Sequence, residues 1–350
     1  MQKGTGGGRA GIKKIAHGAA ISDEKAAPII VAGVEKIAQT ATLATEKVVS
    51  TTAEGRRAVS NAAVEIKSVA HATTAAKTKK IAPAMTMGAK KIAFVDSGYG
   101  GISTLAAAMG LLQNEDFIYL ADQSHSPYGN KSADFIKQRV GQICDYLFFD
   151  HQIKAFVIAC NTATAIGIDF LRDDWCAKRG LFGKSAPVFV GVEPAIKPAL
   201  DYLLGRGIGG FVKDSPVRES AASILCLVTN ATAKQPRFLK LAKNHTAENT
   251  KIIIAPMGDL AYLIEQNIAN LSKISDKIAA LLSPYAAQNI GAVVLGCTHY
   301  CLVKPFVERF FGCPAFDGNA GTAKRLVAVL SQNDLLSSAE SGSFVEFLRV

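Results

Sequence analysis

From Lys91 onward, short runs rich in Val and Ile alternate with stretches of helical periodicity, and this alternation limits the fold more than any other feature. The runs lie at 91–95, 116–120, 155–159, 187–190, 223–228, 251–254 and 292–295, and each reads as a strand buried on both faces. Helical patterns fill the gaps, for example over 132–149 and 259–282. Strands that alternate with helices need crossovers, and crossovers cover both faces of a parallel sheet. The expected fold class is therefore α/β, with mostly parallel sheets flanked by helices.

Two of the runs end alike. Ala155-Phe156-Val157-Ile158-Ala159-Cys160-Asn161-Thr162 and Ala292-Val293-Val294-Leu295-Gly296-Cys297-Thr298-His299 each lead from apolar residues through a small residue to a Cys and then polar groups. The match suggests two similar domains. Ligands of open α/β sheets bind beyond the carboxyl ends of the strands, so the two cysteines would face one cleft between the domains. The boundaries read from the sequence are a first domain of 91–187 plus 313–350 and a second of 188–312.

Residues 1–90 have a different texture, dominated by Ala, Thr, Lys and Gly and lacking any aromatic residue. Such a segment buries too little apolar surface to offset chain entropy, and it reads as a disordered or loosely helical leader. Charge separates it from the body as well. The chain has a net charge of +10, and the leader holds fourteen Lys or Arg against six Asp or Glu. Eight of the ten charges therefore belong to the leader, where contact with a membrane or nucleic acid is conceivable; for the body after Lys90, no nucleic-acid partner is expected. Met85 or Met87 offers an alternative start.

The seven cysteines, an odd number spread over 350 residues, do not read as a disulfide framework. No apolar run reaches the roughly 20 residues of a membrane-spanning helix, and no secretory signal pattern opens the chain. Reduced thiols and a cytoplasmic location are expected.

Several short motifs follow the strands. Asp96-Ser97-Gly98-Tyr99-Gly100-Gly101 comes directly after the first and suits a turn whose amides bind a carboxylate, with an acid at its start. Pro127-Tyr128-Gly129 and Thr229-Asn230-Ala231-Thr232 offer hydroxyls and backbone donors past two further strands. Cys297-Thr298-His299-Tyr300-Cys301 alternates possible zinc ligands, but an extended segment does not wrap an ion and a closed site needs a fourth ligand, so no metal is assigned. No cofactor motif is visible, and no Lys within these motifs could carry pyridoxal phosphate.

Taken in order, these motifs, together with Asp317-Gly318, make the chain from about Lys91 resemble the glutamate racemases of the aspartate/glutamate racemase family. The resemblance implies a cofactor-independent isomerase that holds the amino acid between two cysteines and supplies D-glutamate for peptidoglycan, often as a homodimer. It implies that Cys160 takes the proton from the D-enantiomer and Cys297 from the L-enantiomer. Asp96 would support the first thiol and His299 the second, with Glu265 as the acidic helper upstream and Glu193 at the domain junction. Ser97, Pro127, Tyr128, Gly129, Asn161, Thr162, Thr229, Thr232 and Thr298 would bind substrate. An aspartate racemase or related two-cysteine isomerase is the alternative enzyme, and a DNA- or membrane-binding protein using the leader the alternative outside enzymes.

The chemistry fits these residue types. Racemisation removes a proton from one face of the α-carbon and returns one to the other, which needs one deprotonated and one protonated group. A thiol of pKa about 8.5 is far less basic than the carbanion, at about 1.4 kcal/mol per unit of mismatch. A turnover of about 10 per second allows a barrier of only about 16 kcal/mol, so the site must stabilise the carbanion by hydrogen bonds in a cleft with little water. A neighbouring His can also hold a thiolate as an ion pair, which makes His299 apt beside Cys297.

Overall fold

The protein is described here by a computed structural model covering residues 91–206, 222–245, 250–338 and 344–350. The leader, 1–90, lies outside the described residues. Nine strands form two sheets among these residues, with order β4-β3-β1-β2-β9 in the first and β6-β5-β7-β8 in the second. The first contains β1 (Ile92–Asp96), β2 (Phe117–Ala121), β3 (Ala155–Ile158), β4 (Val188–Gly191) and β9 (Val345–Arg349). The second contains β5 (Ser223–Val228), β6 (Ile252–Pro256), β7 (Ile290–Gly296) and β8 (Ala315–Asp317). Every pairing is parallel. The central strands β1, β2, β3, β5 and β7 are buried along their whole length, which explains why they are apolar without alternation.

The helices are α1 (Ile102–Met109), α2 (Ala133–His151), α3 (Asn161–Phe170), α4 (Ile196–Leu203), α5 (Pro236–Asn244), α6 (Leu260–Gln266), α7 (Ser275–Leu282), α8 (Lys304–Phe311) and α9 (Asn319–Gln332). Local signals set their ends: the Ser132 side chain caps α2 by accepting from the Phe135 amide, and Pro236 opens α5 at its first position. The helical pattern over 259–282 is not one helix. Asn267 ends α6, with its side chain donating to the Leu263 carbonyl, and a 3-10 turn over Leu271–Ile274 precedes α7. The Asn267 side chain competes for a backbone carbonyl there, and Asn270 accepts from the Ser272 hydroxyl, which together break the run.

The sheets divide the chain differently from the boundaries read in the sequence. Val188–Gly191, assigned to the domain 188–312, pairs with β3 in the first sheet, and Ala315–Asp317, assigned with 313–350 to the first domain, pairs with β7 in the second. Pairing partner decides membership, and apolar runs do not record it. The crossings between lobes thus fall after β4 and after β8, close together at one junction where Gly318 lies against the Glu193 backbone. Apolar packing joins the lobes as well: one buried cluster includes Phe94 and Tyr119 of the first lobe and Leu260, Ala261 and Tyr300 of the second.

Candidate active site

Both cysteines leave the carboxyl ends of their strands, Cys160 after β3 and Cys297 after β7. The strands are related by position in the two sheets, and both thiols are buried and free. Cys160 feels the charge of Cys297 across the cleft.

Cys160 is the residue before α3, and the Ala163 amide at the helix N-terminus acts to lower its thiol pKa. Ser97 Oγ lies 3.8 Å from the sulfur. Burial nevertheless pushes the Cys160 thiol far above its ordinary value, and the Asp96 charge adds to that push. At neutral pH this sulfur carries its proton. Asp96 is itself buried, which raises its carboxyl above the usual range against the pull of His299 and two amides. Those amides belong to Ser97 and Gly101, and Thr298 Oγ1 donates to the same carboxylate from the second lobe over 3.3 Å.

The glycine turn is held from within as well as from the opposite lobe. Two of its amides, on Ser97 and Gly101, bind the chain's own Asp96, and the Tyr99 amide helps to lower the Glu265 carboxyl pKa. Its missing side chains serve close approach. A Cβ on Gly98 would stand 2.9 Å from Glu265 Oε1, and one on Gly100 would stand 2.6 Å from Thr298 Oγ1 and 2.8 Å from the His299 amide nitrogen.

Beyond Cys297 the chain winds as a 3-10 helix over Thr298–Val303 and not as the extended segment suggested by alternation. This turn brings His299 Nδ1 to 3.9 Å from Cys297 Sγ and directs Nε2 onto the Glu265 carboxylate. Burial alone would discharge the ring, but Glu265 and Cys297 hold His299 well above the ordinary histidine value. Burial would likewise raise Glu265, yet His299, the Gln123 side chain and the Tyr99 amide keep its carboxyl below the usual range. The two thiols thus have unlike neighbours: a serine hydroxyl and a carboxyl at Cys160, an imidazolium–carboxylate pair at Cys297.

The hydroxyl groups meet between the lobes. Thr162 Oγ1 lies 2.9 Å from Thr229 Oγ1 and 3.2 Å from Thr232 Oγ1, and the last two are 2.9 Å apart. Gly129 packs on the Thr229 side chain, so the Pro127-Tyr128-Gly129 turn borders this triangle. The buried Asn161 Oδ1 has no hydrogen-bond partner. Tyr128 is placed as expected, but its hydroxyl is not free: it donates to Asp122 Oδ2 over 2.5 Å. Glu193, at the junction, accepts from Arg237 across the lobes.

Of the candidate residues named from the sequence, Asp96 is linked to Ser97, Thr298 and, through Ser97, Cys160, while Cys297 is linked to His299 and Glu265; Thr162, Thr229 and Thr232 meet in a second group bordered by Gly129. Three others were missed. Asp122 directly follows β2, one position beyond the residue paired with Asp96 at the end of β1, a positional signal that could have found it; Arg139 binds it through two hydrogen bonds of 2.8 Å from seventeen residues away in α2. Gln123 donates to Glu265 Oε1 over 2.8 Å, and nothing in the sequence marks it.

No protein-family model matches the chain. Individual relatives do: a glutamate racemase of Clostridium acetobutylicum is 34% identical over 247 residues, which cover 70% of this chain and 86% of the relative. The chain belongs to the glutamate racemase family. A second member, from Clostridium botulinum strain Okra, is 33% identical over 258 residues, 72% of this chain and 88% of its own. Among solved structures, glutamate racemase from Francisella tularensis in complex with D-glutamate superposes with a TM-score of 0.59 at 25% identity, covering 74% of this chain and 88% of that one. The Escherichia coli glutamate racemase in complex with L-glutamate and the activator UDP-MurNAc-ala gives 0.55 at 25% identity, covering 74% and 89%. The family is one of isomerases, and the two-lobed parallel α/β architecture is common to it. Among the described residues, no helix is long and apolar enough to cross a membrane.

Proposed function

We propose that the protein interconverts L- and D-glutamate without a cofactor, by proton transfer at the α-carbon between Cys160 and Cys297. The observation that carries this reading is the pair of buried thiols at the carboxyl ends of β3 and β7, each with its own polar helper. With L-glutamate in the cleft, the Cys297 thiolate takes the α-proton. The Cys160 thiol then delivers its proton to the opposite face, which leaves D-glutamate, a thiol at Cys297 and a thiolate at Cys160. Starting from D-glutamate, the same steps run in reverse.

The unlike neighbours suit these roles. A thiol kept protonated by burial and by Asp96 is ready as an acid, and the His299 imidazolium stands 3.9 Å from the other sulfur. Once Cys160 has given up its proton, the Ala163 amide and Ser97 hydroxyl can stabilise its charge. Thr162, Thr229 and Thr232 each hold one proton. When they turn from one another they can all donate to a single carboxylate of a dicarboxylic substrate. Asn161 Oδ1, lacking any partner, can accept from the α-ammonium group. The hydroxyls of Ser97 and Thr298, beside Asp96, would donate to the other carboxylate as charge develops on it.

The lobes would act as two domains closing on the substrate. D-Glutamate made this way would serve peptidoglycan synthesis in the cytoplasm, and a homodimer is the proposed assembly. Circular dichroism at fixed wavelength tests the reading. Without added cofactor, the signal of L-glutamate should decay to zero, and that of D-glutamate should decay to zero from the opposite sign. Activity on aspartate alone would retain the mechanism and change the substrate; silence on both would refute the reading.

A further inference from the structure

Glu265 belongs to the second lobe, on α6, but one of its two side-chain hydrogen-bond partners, Gln123, belongs to the first. The Gln123 side chain, from the loop after β2, donates to Oε1, and the Tyr99 amide, from the turn after β1, acts with it to keep the carboxyl below its usual range. Gly98 leaves the space that the carboxylate fills, with Oε1 2.9 Å and Oε2 3.0 Å from where its Cβ would stand. Gly98 is held in turn, since the Tyr119 hydroxyl donates to its carbonyl over 2.9 Å. A few residues further along the same loop, Asn130 donates to Asp259 just ahead of α6 over 2.8 Å.

We infer that Gln123 is a positioning residue for the second base: acting across the cleft, it holds Glu265 against His299, so the Cys297 arm is complete only when the lobes are closed. This inference rests on the racemase reading and deepens it. A carboxylate that pairs only with His299 can swing about its side-chain torsions. With Gln123 on Oε1 and His299 on Oε2 it has a fixed direction, and so has the imidazole that it orients. Opening of the cleft removes both first-lobe groups together. The charge environment beside Cys297 is thereby tied to closure, and water is excluded at the same moment.

The groups facing Glu265 are His299 from the turn after β7, Asp96 from the end of β1, Tyr99 from the turn after it, Tyr119 from β2, and Gln123. Only His299 among them is a cation. A second carboxylate at position 123 would stand within hydrogen-bond distance of Glu265, and the two could not both remain ionised without cost.

Steady-state racemisation of L-glutamate by the full chain, measured against pH for wild type, Gln123→Ala, Gln123→Glu, Glu265→Gln and the Gln123→Ala/Glu265→Gln double variant, tests the assignment. Gln123→Ala should lower kcat about tenfold and move the acid limb of kcat, which reports groups in the enzyme–substrate complex, to higher pH. Gln123→Glu should move that limb further. In the Glu265→Gln background, Gln123→Ala should change kcat by less than about twofold, because there is no carboxylate left to hold. Thermal melts should show all four variants folded. The assignment is overturned if both Gln123 variants keep the wild-type kcat and pH profile, or if Gln123→Ala costs as much without Glu265 as with it. A wild-type chain that does not racemise glutamate defeats the racemase reading itself, and the inference with it.

Discussion

At the scale of single residues, the cleft is a set of charges placed beside two sulfurs. Cys160→Ala and Cys297→Ala should each reduce racemisation by on the order of 10³-fold or more in both directions, because either change interrupts the single proton route. Clear residual turnover by the circular dichroism assay in either variant would contradict the two-base scheme. Asp122 provides a stability test at the same scale. Burial would raise its carboxyl, but Arg139, Tyr128 and His125 bind it and hold it below the ordinary aspartate value. A carboxyl with a depressed folded value contributes stability above its unfolded value, here 3.8, and that stability is lost as the pH falls through the folded value. Asp122→Asn, which leaves the Arg139 guanidinium buried without its partner, should cost about 3 kcal/mol at neutral pH in urea unfolding. Its stability should also fall less than that of wild type on acidification below 3.8. Equal slopes in the two proteins would show that Asp122 is not the group responsible.

Among elements, the contact that matters most is between the glycine turn after β1 and the 3-10 helix after β7. Its tightness comes from backbone as well as side chain, since a Cβ on Gly100 would meet the His299 amide nitrogen at 2.8 Å. The His299 amide cannot rotate away as a long side chain could. Gly100→Ala should therefore push the two turns apart and lower kcat/KM about 10²-fold, with the far-ultraviolet circular dichroism spectrum unchanged. A variant of near wild-type activity would show that the lobes can accommodate a methyl group there. Strand identity in this chain was legible wherever a strand was central. β1, β2, β3, β5 and β7 are covered on both faces, and their apolar runs stand out against amphipathic helices. Two strands escaped notice for physical reasons. β8 is three residues long, and β9, Val-Glu-Phe-Leu-Arg on the edge of its sheet, is only partly buried and carries charges.

For the whole molecule, the basic leader and the α/β body are separable in the sequence by texture and charge. A chain beginning at Met87 should fold, melt at the same temperature and racemise glutamate at the same rate as the full chain; loss of solubility or activity would assign the leader a role in the body. The sequence alone determined the α/β class, the parallel sheets and the two cysteine motifs at strand ends, because these depend on periodicity and on residues adjacent in the chain. It also named Asp96, His299 and the threonines, which lie within a few residues of those strand ends. Only the tertiary structure decided which sheet β4 and β8 join, where Tyr128 directs its hydroxyl, and that Glu265, thirty-four positions before His299, is bound by Gln123 of the opposite lobe. The reason is one of distance along the chain. Hydrogen-bond partners across a cleft are fixed by how two sheets pack, and no local pattern of polarity records a contact between residues more than a hundred positions apart.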